Sequence, residues 1–170
     1  MRLLRLIYYS RPFDYDEETL RDILGVARRH NRLRGITGAL LCRADLFVQL
    51  LEGPREPVTR TFARILDDDR HSDVALAWCG DVDARLFPGW EMRADAPHVW
   101  MWTPEQVALG AAREAHSEDF VDMFRWLASE PQQAPLFGAP PAGGVPQAAM
   151  AAPQPSPQPS PLAAPSASRG

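Results

Sequence analysis

The chain has 170 residues and a formal net charge of −4, enough for one domain with a core but without the basic footprint of a direct nucleic-acid binder. Its two cysteines, Cys42 and Cys79, lack the spacing of a zinc site or a disulfide framework. Because the N-terminal segment lacks a secretory signal and no apolar run reaches the roughly 18 residues of a membrane span, we expect a soluble cytoplasmic protein without membrane contact.

Hydrophobic periodicity alternates between strand-like and helix-like segments in the first half of the chain. Residues 3–10 alternate as a strand, and residues 16–31 follow as a helix with acids in the first turn and bases in the last. Residues 35–43 and 46–53 read as two strands joined by a short polar turn. These two strands are therefore predicted to form a hairpin.

The second half of this region repeats the alternation. Residues 54–69 are predicted to form a helix, residues 74–82 and 90–94 two strands, and residues 103–115 and 117–129 two short C-terminal helices begun by Thr or Ser caps. The order βαββαββ predicts an α+β, ferredoxin-like sandwich. We expect one five-stranded mixed sheet with two helices on one face.

Composition predicts three segments, namely a folded domain over residues 1–96, a helical extension over 97–130 and a tail over 131–170. The tail is rich in Pro, Ala, Ser and Gln and holds most of the chain's 17 prolines, so it cannot bury enough apolar surface to fold. It is either an inert disordered tail or a proline-rich docking ligand. Aromatic residues of the extension are expected to cover apolar sheet surface, namely Trp100, Trp102, Phe124 and Trp126.

The stretch "FVQLLEG" places an amide among apolar neighbours. Period-two alternation puts Phe47, Gln49 and Leu51 on one face, so the Gln49 side chain points where its neighbours are buried and needs hydrogen-bond partners. Tyr8 shares its face with Leu4 and Leu6 and is either such a partner or a core aromatic with its hydroxyl satisfied elsewhere. Trp90 and Met92, two residues apart on the last predicted strand, are expected to share a face.

The two helices each carry an apolar stripe that faces the sheet. The first stripe consists of Leu20, Leu24, Ala27 and Asn31, and the second of Val58, Phe62, Ile65 and Leu66. A planar apolar body would fit between the helices, in contact with Ile23 and Ile65 and with Asn31 at its rim. The alternative is that Asn31 merely ends its helix.

Five stretches together resemble the BLUF domains, a family of blue-light sensors that use flavin. They match in order and spacing over about the first 95 residues and read "LIYYS", "ARRHNRLRGITGALL", "FVQLLEG", "RILDDDRH" and "RLFPGWEMRA". The resemblance implies the same βαββαββ fold with the flavin ring between the two helices. Ala27 departs from the family pattern, because some members have a serine there.

The resemblance also implies the residues of the site. Tyr8, Gln49 and Met92 match the photoactive residues, with Trp90 the nearby tryptophan whose placement varies between members. Asn31 and Gln49 would hold the ring's pyrimidine edge, with His30 alongside, and the other expected cofactor-binding residues are Ile23, Ala27, Arg64, Ile65, Asp68, Arg70 and His71. No metal site is expected.

The resemblance implies a photoreceptor in which light-driven electron and proton transfer between Tyr8 and flavin switches the hydrogen bonds of Gln49. FAD is the expected flavin, with FMN or riboflavin as alternatives. We expect no enzymatic activity, and a signal that passes to a separate protein partner or through a homo-oligomer. Two other interpretations are a ferredoxin-like interaction module that has lost flavin, and a small hydrolase using His71 as a base, for which no nucleophile is placed by sequence.

Overall fold

The protein is built on one mixed sheet. A computed structural model describes residues 2–13, 16–95 and 101–130, and within these residues five strands lie in the order β4-β1-β3-β2-β5. All neighbours are antiparallel except β2 and β5, which run parallel. The strands are β1 (Leu3–Pro12), β2 (Thr37–Arg43), β3 (Leu46–Gly53), β4 (His71–Val82) and β5 (Arg93–Asp95). The predicted fold class is confirmed.

Two helices cover one face of the sheet, α1 (Glu17–Arg34) and α2 (Arg55–Leu66). The α1 helix begins where the Asp16 carboxylate accepts a hydrogen bond from the Thr19 backbone N–H at 2.8 Å, as a helix N-cap does. It ends at Gly35, whose φ of +63° suits glycine. Because α1 continues for three residues beyond Asn31, the alternative that Asn31 ends this helix is wrong.

The C-terminal helices cover the opposite face. They are α3 (Pro104–Ala108), α4 (Ala111–Glu114) and α5 (Ser117–Ser129). The single helix predicted over 103–115 was wrong because Gly110, with a φ of +96°, breaks it in two. The Thr103 cap of α3 is confirmed, whereas α5 is capped by His116 rather than by a serine.

The two faces follow from the alternation along the strands. Leu6, Tyr8 and Leu51 belong to the core under α1 and α2, while their neighbours Ile7 and Leu50 belong to the core under the C-terminal helices. Of the aromatic residues expected on the second face, Phe124 is fully buried, Trp102 packs edge-on against Phe120 and Trp126 is partly exposed. Trp100 and the predicted tail, 131–170, lie outside the described residues.

Two predictions about side-chain direction were wrong. Leu66, the last residue of α2, is 52% exposed, because a helix turns about 100° per residue and the preceding residue, Ile65, is the one that lines the cavity. Trp90 and Met92 lie in the opposite cores rather than on a shared face. Both precede β5, which begins only at Arg93, so strand alternation does not govern their directions.

A buried charge network fixes the connection between β4 and β5. Glu52 on β3 is fully buried, and its carboxylate accepts hydrogen bonds from the Arg5 guanidinium at 3.1 Å and from the Phe87 backbone N–H at 2.7 Å. The Gly38 backbone N–H donates to the Trp90 carbonyl at 2.9 Å. These bonds position the segment that carries Met92 to the sheet.

None of the helices in the described ranges has the length and apolarity to cross a membrane.

Candidate functional site

A cavity of about 260 Å³ lies between α1, α2 and the sheet face beneath them. Of the residues predicted for the site, those that line it are Tyr8, Ile23, Ala27, His30, Asn31, Gln49, Arg64, Ile65, Asp68, Arg70, His71 and Met92. Trp90 does not line it and packs against the opposite core. Residues from four strand or loop segments and two helices thus meet around one space.

The floor of the cavity carries a hydrogen-bonded chain of three side chains. Tyr8 and Gln49 are directly paired across β1 and β3, and the Tyr8 hydroxyl donates to the Gln49 Oε1. The Gln49 Nε2 donates to the Met92 Sδ at 3.4 Å, a weak bond to a thioether acceptor. The amide therefore has the Tyr8 hydroxyl as the partner of its oxygen and the weakly accepting Met92 sulfur as the partner of its nitrogen.

Burial determines the protonation state of the Tyr8 hydroxyl. Tyr8 is 2% exposed and Gln49 8% exposed. Desolvation by burial raises the pKa of the Tyr8 hydroxyl far above its ordinary value, and the negative charge of Asp68 raises it further. Tyr8 is consequently a neutral phenol that can donate a hydrogen bond.

Asn31 joins α1 to the segment that carries Met92. Its Nδ2 donates to the Glu91 carbonyl at 2.6 Å, and the Arg28 Nε donates to the Met92 carbonyl at 3.1 Å. Asn31 is only 2% exposed, so its amide is buried where it lines the cavity. A change at Met92 is thus coupled directly to α1.

The other end of the cavity is charged. The Arg70 Nε donates to the Asp68 carboxylate at 2.8 Å, and this bond lowers the pKa of Asp68 below its ordinary value. The His71 Nδ1 lies 2.8 Å from the Ser10 Oγ, and partial burial lowers the pKa of His71. Arg64 is exposed and makes no ion pair within the described residues, so one guanidinium at this end is left without a carboxylate partner.

The residues present fit a flavin. Small-molecule sites occupy roughly 300–1,000 Å³ and combine apolar walls with a few polar groups, and this cavity is near the lower bound. Ile23 and Ile65 supply apolar walls for a flat ring, and the amides of Asn31 and Gln49 supply the donors and acceptors that its carbonyl and imide groups require. The guanidinium groups at the charged end suit a phosphate.

Seven lining residues were not among those predicted for the site, namely Leu24, Val26, Arg34, Leu40, Phe47, Leu51 and Thr61. Arg34 lies three residues after Asn31 and Thr61 four residues before Ile65, so helical spacing from the predicted residues could have identified both. Leu40 is the cross-strand partner of Gln49 on β2, so its place at the cavity can be predicted only when the register of β2 and β3 is known. The register was not available from the sequence pattern.

The chain is similar in sequence to parts of two light-regulated proteins. The chain is 38% identical over 87 residues to the photoactivated adenylate cyclase subunit alpha of Euglena gracilis, a match that covers 51% of this chain and 8% of that subunit. It is 35% identical over 86 residues to the blue light- and temperature-regulated antirepressor BluF of Escherichia coli strain K12, covering 50% of this chain and 21% of the antirepressor. The chain thus matches only a small part of these curated relatives.

Solved structures resemble a larger share of the molecule. The ground state of BlsA superposes with a TM-score of 0.65 at 28% identity, over 78% of this chain and 91% of that one. The dark state of BlrB, a BLUF protein, gives a TM-score of 0.61 at 32% identity, over 75% and 96% of the two chains. The family model for BLUF, "Sensors of blue-light using FAD", matches residues 3–93. The chain therefore belongs to the BLUF family of blue-light flavin sensors.

Proposed function

We propose that Tyr8 and Gln49 are the light-driven switch of this sensor. The observation that carries the proposal is the hydrogen bond from the Tyr8 hydroxyl to the Gln49 amide in the floor of the cavity. An amide has an acceptor on one side and donors on the other, so Gln49 can link a phenol to a neighbouring ligand in two distinct patterns. The weak bond to Met92 leaves the second pattern within reach.

The chain's own residues would move one proton and then hold a changed hydrogen-bond pattern. When bound, flavin supplies blue-light absorption and an excited state that is a strong oxidant. Tyr8 would supply the electron and its phenolic proton, Gln49 would relay that proton, and Tyr8 would take both back afterwards. Gln49 retains the altered orientation or tautomer. Each changed bond is worth about 1 kcal/mol, which biases a bistable neighbour several-fold.

FAD is the flavin that we propose for this site, with FMN and riboflavin as alternatives. Asn31 and Gln49 would hold the polar edge of the ring, Ile23 and Ile65 its faces, and the other cavity residues would surround the rest, namely Ala27, His30, Arg64, Asp68, Arg70 and His71. The guanidinium groups of Arg64 and Arg70 at one end of the cavity support a phosphorylated form. Release of the pigment from purified protein by denaturation, followed by chromatography, identifies the flavin.

We propose that the signal leaves through Met92 and β5 to the C-terminal helices. Arg93 follows Met92, is buried, and its Nη1 donates to the Leu127 carbonyl of α5 at 2.9 Å. A shift of Met92 would therefore move a group bonded to α5. Amide hydrogen exchange of α5 should differ between dark and lit protein, and Arg93→Ala should remove that difference.

We further propose that this protein is a cytoplasmic sensor rather than an enzyme, and that it signals to a separate protein partner or through self-association. The support is that the described residues form a sensor domain and a helical cover, with the apolar surface of α5 packed onto the sheet. Sedimentation in the dark and under blue light measures the number of subunits in each state. A change with light would identify self-association as the output.

The function is tested by absorption spectroscopy on purified protein. Wild type should be yellow and should show a reversible red shift under blue light. Tyr8→Phe should remain yellow and lose the shift. The matched control is Tyr9→Phe, because Tyr9 lies next in β1 but on the opposite face, stacked on Phe120 at 5.6 Å. A colourless wild type would contradict the proposal and favour an interaction module without flavin.

A further inference from the structure

Two residues separate the last backbone bond of the β4–β5 connection from β5 itself. The Trp90 carbonyl accepts a hydrogen bond from the Gly38 backbone N–H, and pairing with β2 resumes at Arg93. Glu91 and Met92 lie between these two points and belong to no strand. Their path is therefore fixed by contacts outside the sheet ladder.

Side chains of α1 supply these contacts. The Arg28 Nε donates to the Met92 carbonyl at 3.1 Å, and the Asn31 Nδ2 donates to the Glu91 carbonyl at 2.6 Å. Arg32 adds an ion pair to the Glu91 carboxylate at 3.0 Å, but the Arg32 side chain is 71% exposed, so this pair contributes little. Arg28 is thus the side chain that holds the backbone of Met92 itself.

Arg28 differs from Asn31 in its relation to the cavity. Asn31 lines the cavity, whereas Arg28 does not. Arg28 is half-buried on the side of α1 that meets the Met92 segment. An effect of the Arg28–Met92 bond on Gln49 is therefore transmitted by Met92, whose Sδ accepts from the Gln49 Nε2 at 3.4 Å.

We infer that Arg28 is a positioning residue of the switch, because its hydrogen bond to the Met92 carbonyl holds the Met92 sulfur where the Gln49 amide donates to it. The inference rests on the function proposed above, in which Gln49 changes its hydrogen bonds on illumination and recovers them in the dark. A methionine side chain has three rotatable bonds, so its sulfur is placed reproducibly only if the backbone that carries it is held. With the Arg28 bond present, the returning Gln49 amide meets its acceptor in place. Without this bond, Met92 must first be ordered again, and recovery is slower.

Two substitutions of Arg28 separate its hydrogen bond from its charge. Arg28→Met keeps an unbranched apolar stem and removes every donor, whereas Arg28→Gln places an amide nitrogen as many bonds from Cα as Nε and removes the charge. After saturating blue light, Arg28→Met should return to the dark spectrum about fivefold more slowly than wild type, which corresponds to about 1 kcal/mol for the lost bond. Arg28→Gln keeps a donor and should recover within about twofold of wild type.

The matched control is Arg29→Met, because Arg29 is the next residue of α1, is exposed and does not line the cavity. This variant should recover at the wild-type rate. All three variants should bind FAD with wild-type affinity in a fluorescence titration, since neither arginine lines the cavity.

The inference is overturned if Arg28→Met recovers at the wild-type rate or faster. It is equally overturned if Arg28→Gln is as slow as Arg28→Met, because the charge and not the hydrogen bond then controls recovery. A loss of FAD affinity in Arg28→Met also overturns it, since Arg28 then acts on binding. A wild type without a red shift contradicts the proposed function itself, whereas a normal wild-type shift with unchanged recovery in Arg28→Met contradicts this inference alone.

Discussion

Replacing both partners of the Tyr8–Gln49 hydrogen bond should cost less than the two single replacements added together. Tyr8→Phe leaves the Gln49 Oε1 without its phenol donor, and Gln49→Leu leaves the Tyr8 hydroxyl without an acceptor. Both side chains are almost fully buried, so solvent compensates only in part for a lost partner. The double variant instead packs two apolar groups against each other and leaves no unpaired atom.

The magnitude follows from this burial. An unsatisfied buried polar group costs about 1–3 kcal/mol of unfolding free energy, so each single variant should lose an amount in that range. Gln49→Leu also loses the weak bond to Met92, which adds little. In the double variant the desolvation cost disappears from both sides. We expect it to be more stable than the sum of the single effects by about 1 kcal/mol or more.

Urea unfolding of the flavin-free protein measures all four stabilities of the cycle. The dependence of the unfolding free energy on urea concentration should be equal in all variants, because the surface exposed on unfolding changes little. Additivity of the two single effects within about 0.5 kcal/mol would show that Tyr8 and Gln49 do not share a hydrogen bond. That result would refute the reasoning from which the switch is derived.

Three further substitutions test other parts of the site. Asn31→Ala should lower FAD affinity about tenfold in a fluorescence titration, because it removes a buried amide that would bind the flavin. An unchanged affinity would show that Asn31 does not bind the flavin. Glu52→Gln should lower the free energy of unfolding by about 3 kcal/mol in urea, because it leaves the buried Arg5 charge without a counter-ion, and a loss below about 1 kcal/mol would contradict this. The pKa of His71 is lowered in the folded state, so the unfolded chain binds the proton first, and wild-type stability should decline as pH falls below about 6.5. In His71→Gln this decline should be smaller, as the urea midpoint at each pH will show, and an identical decline would exclude His71 as its source.

The sequence predicted the strands better than their connections. The β3 strand was predicted with its observed bounds, because its almost continuous apolar run lies between a polar turn and Gly53-Pro54, as in a strand buried on both faces. The shared face of Tyr8 and Gln49 followed from the same period of two. For these strands, the apolar pattern and the two-residue period were sufficient to predict which side chains face the same core.

Prediction failed where regular structure ends. Trp90 lies in a connection fixed by backbone bonds to Glu52 and Gly38, which come from distant strands, so its direction cannot be read from local periodicity. Leu66 occupies the last position of α2, one residue after the inward-facing Ile65, and the sequence does not show which of two adjacent apolar residues faces inward.

The light-minus-dark absorption spectrum of Gln49→Leu tests the central claim most directly. In the proposed mechanism, Gln49 lies between Tyr8 and the flavin, and its altered hydrogen-bond pattern is the change that persists after illumination. Gln49→Leu should therefore keep its bound pigment and show no red shift under blue light that shifts wild type fully. A shift of wild-type size in this variant would contradict the account.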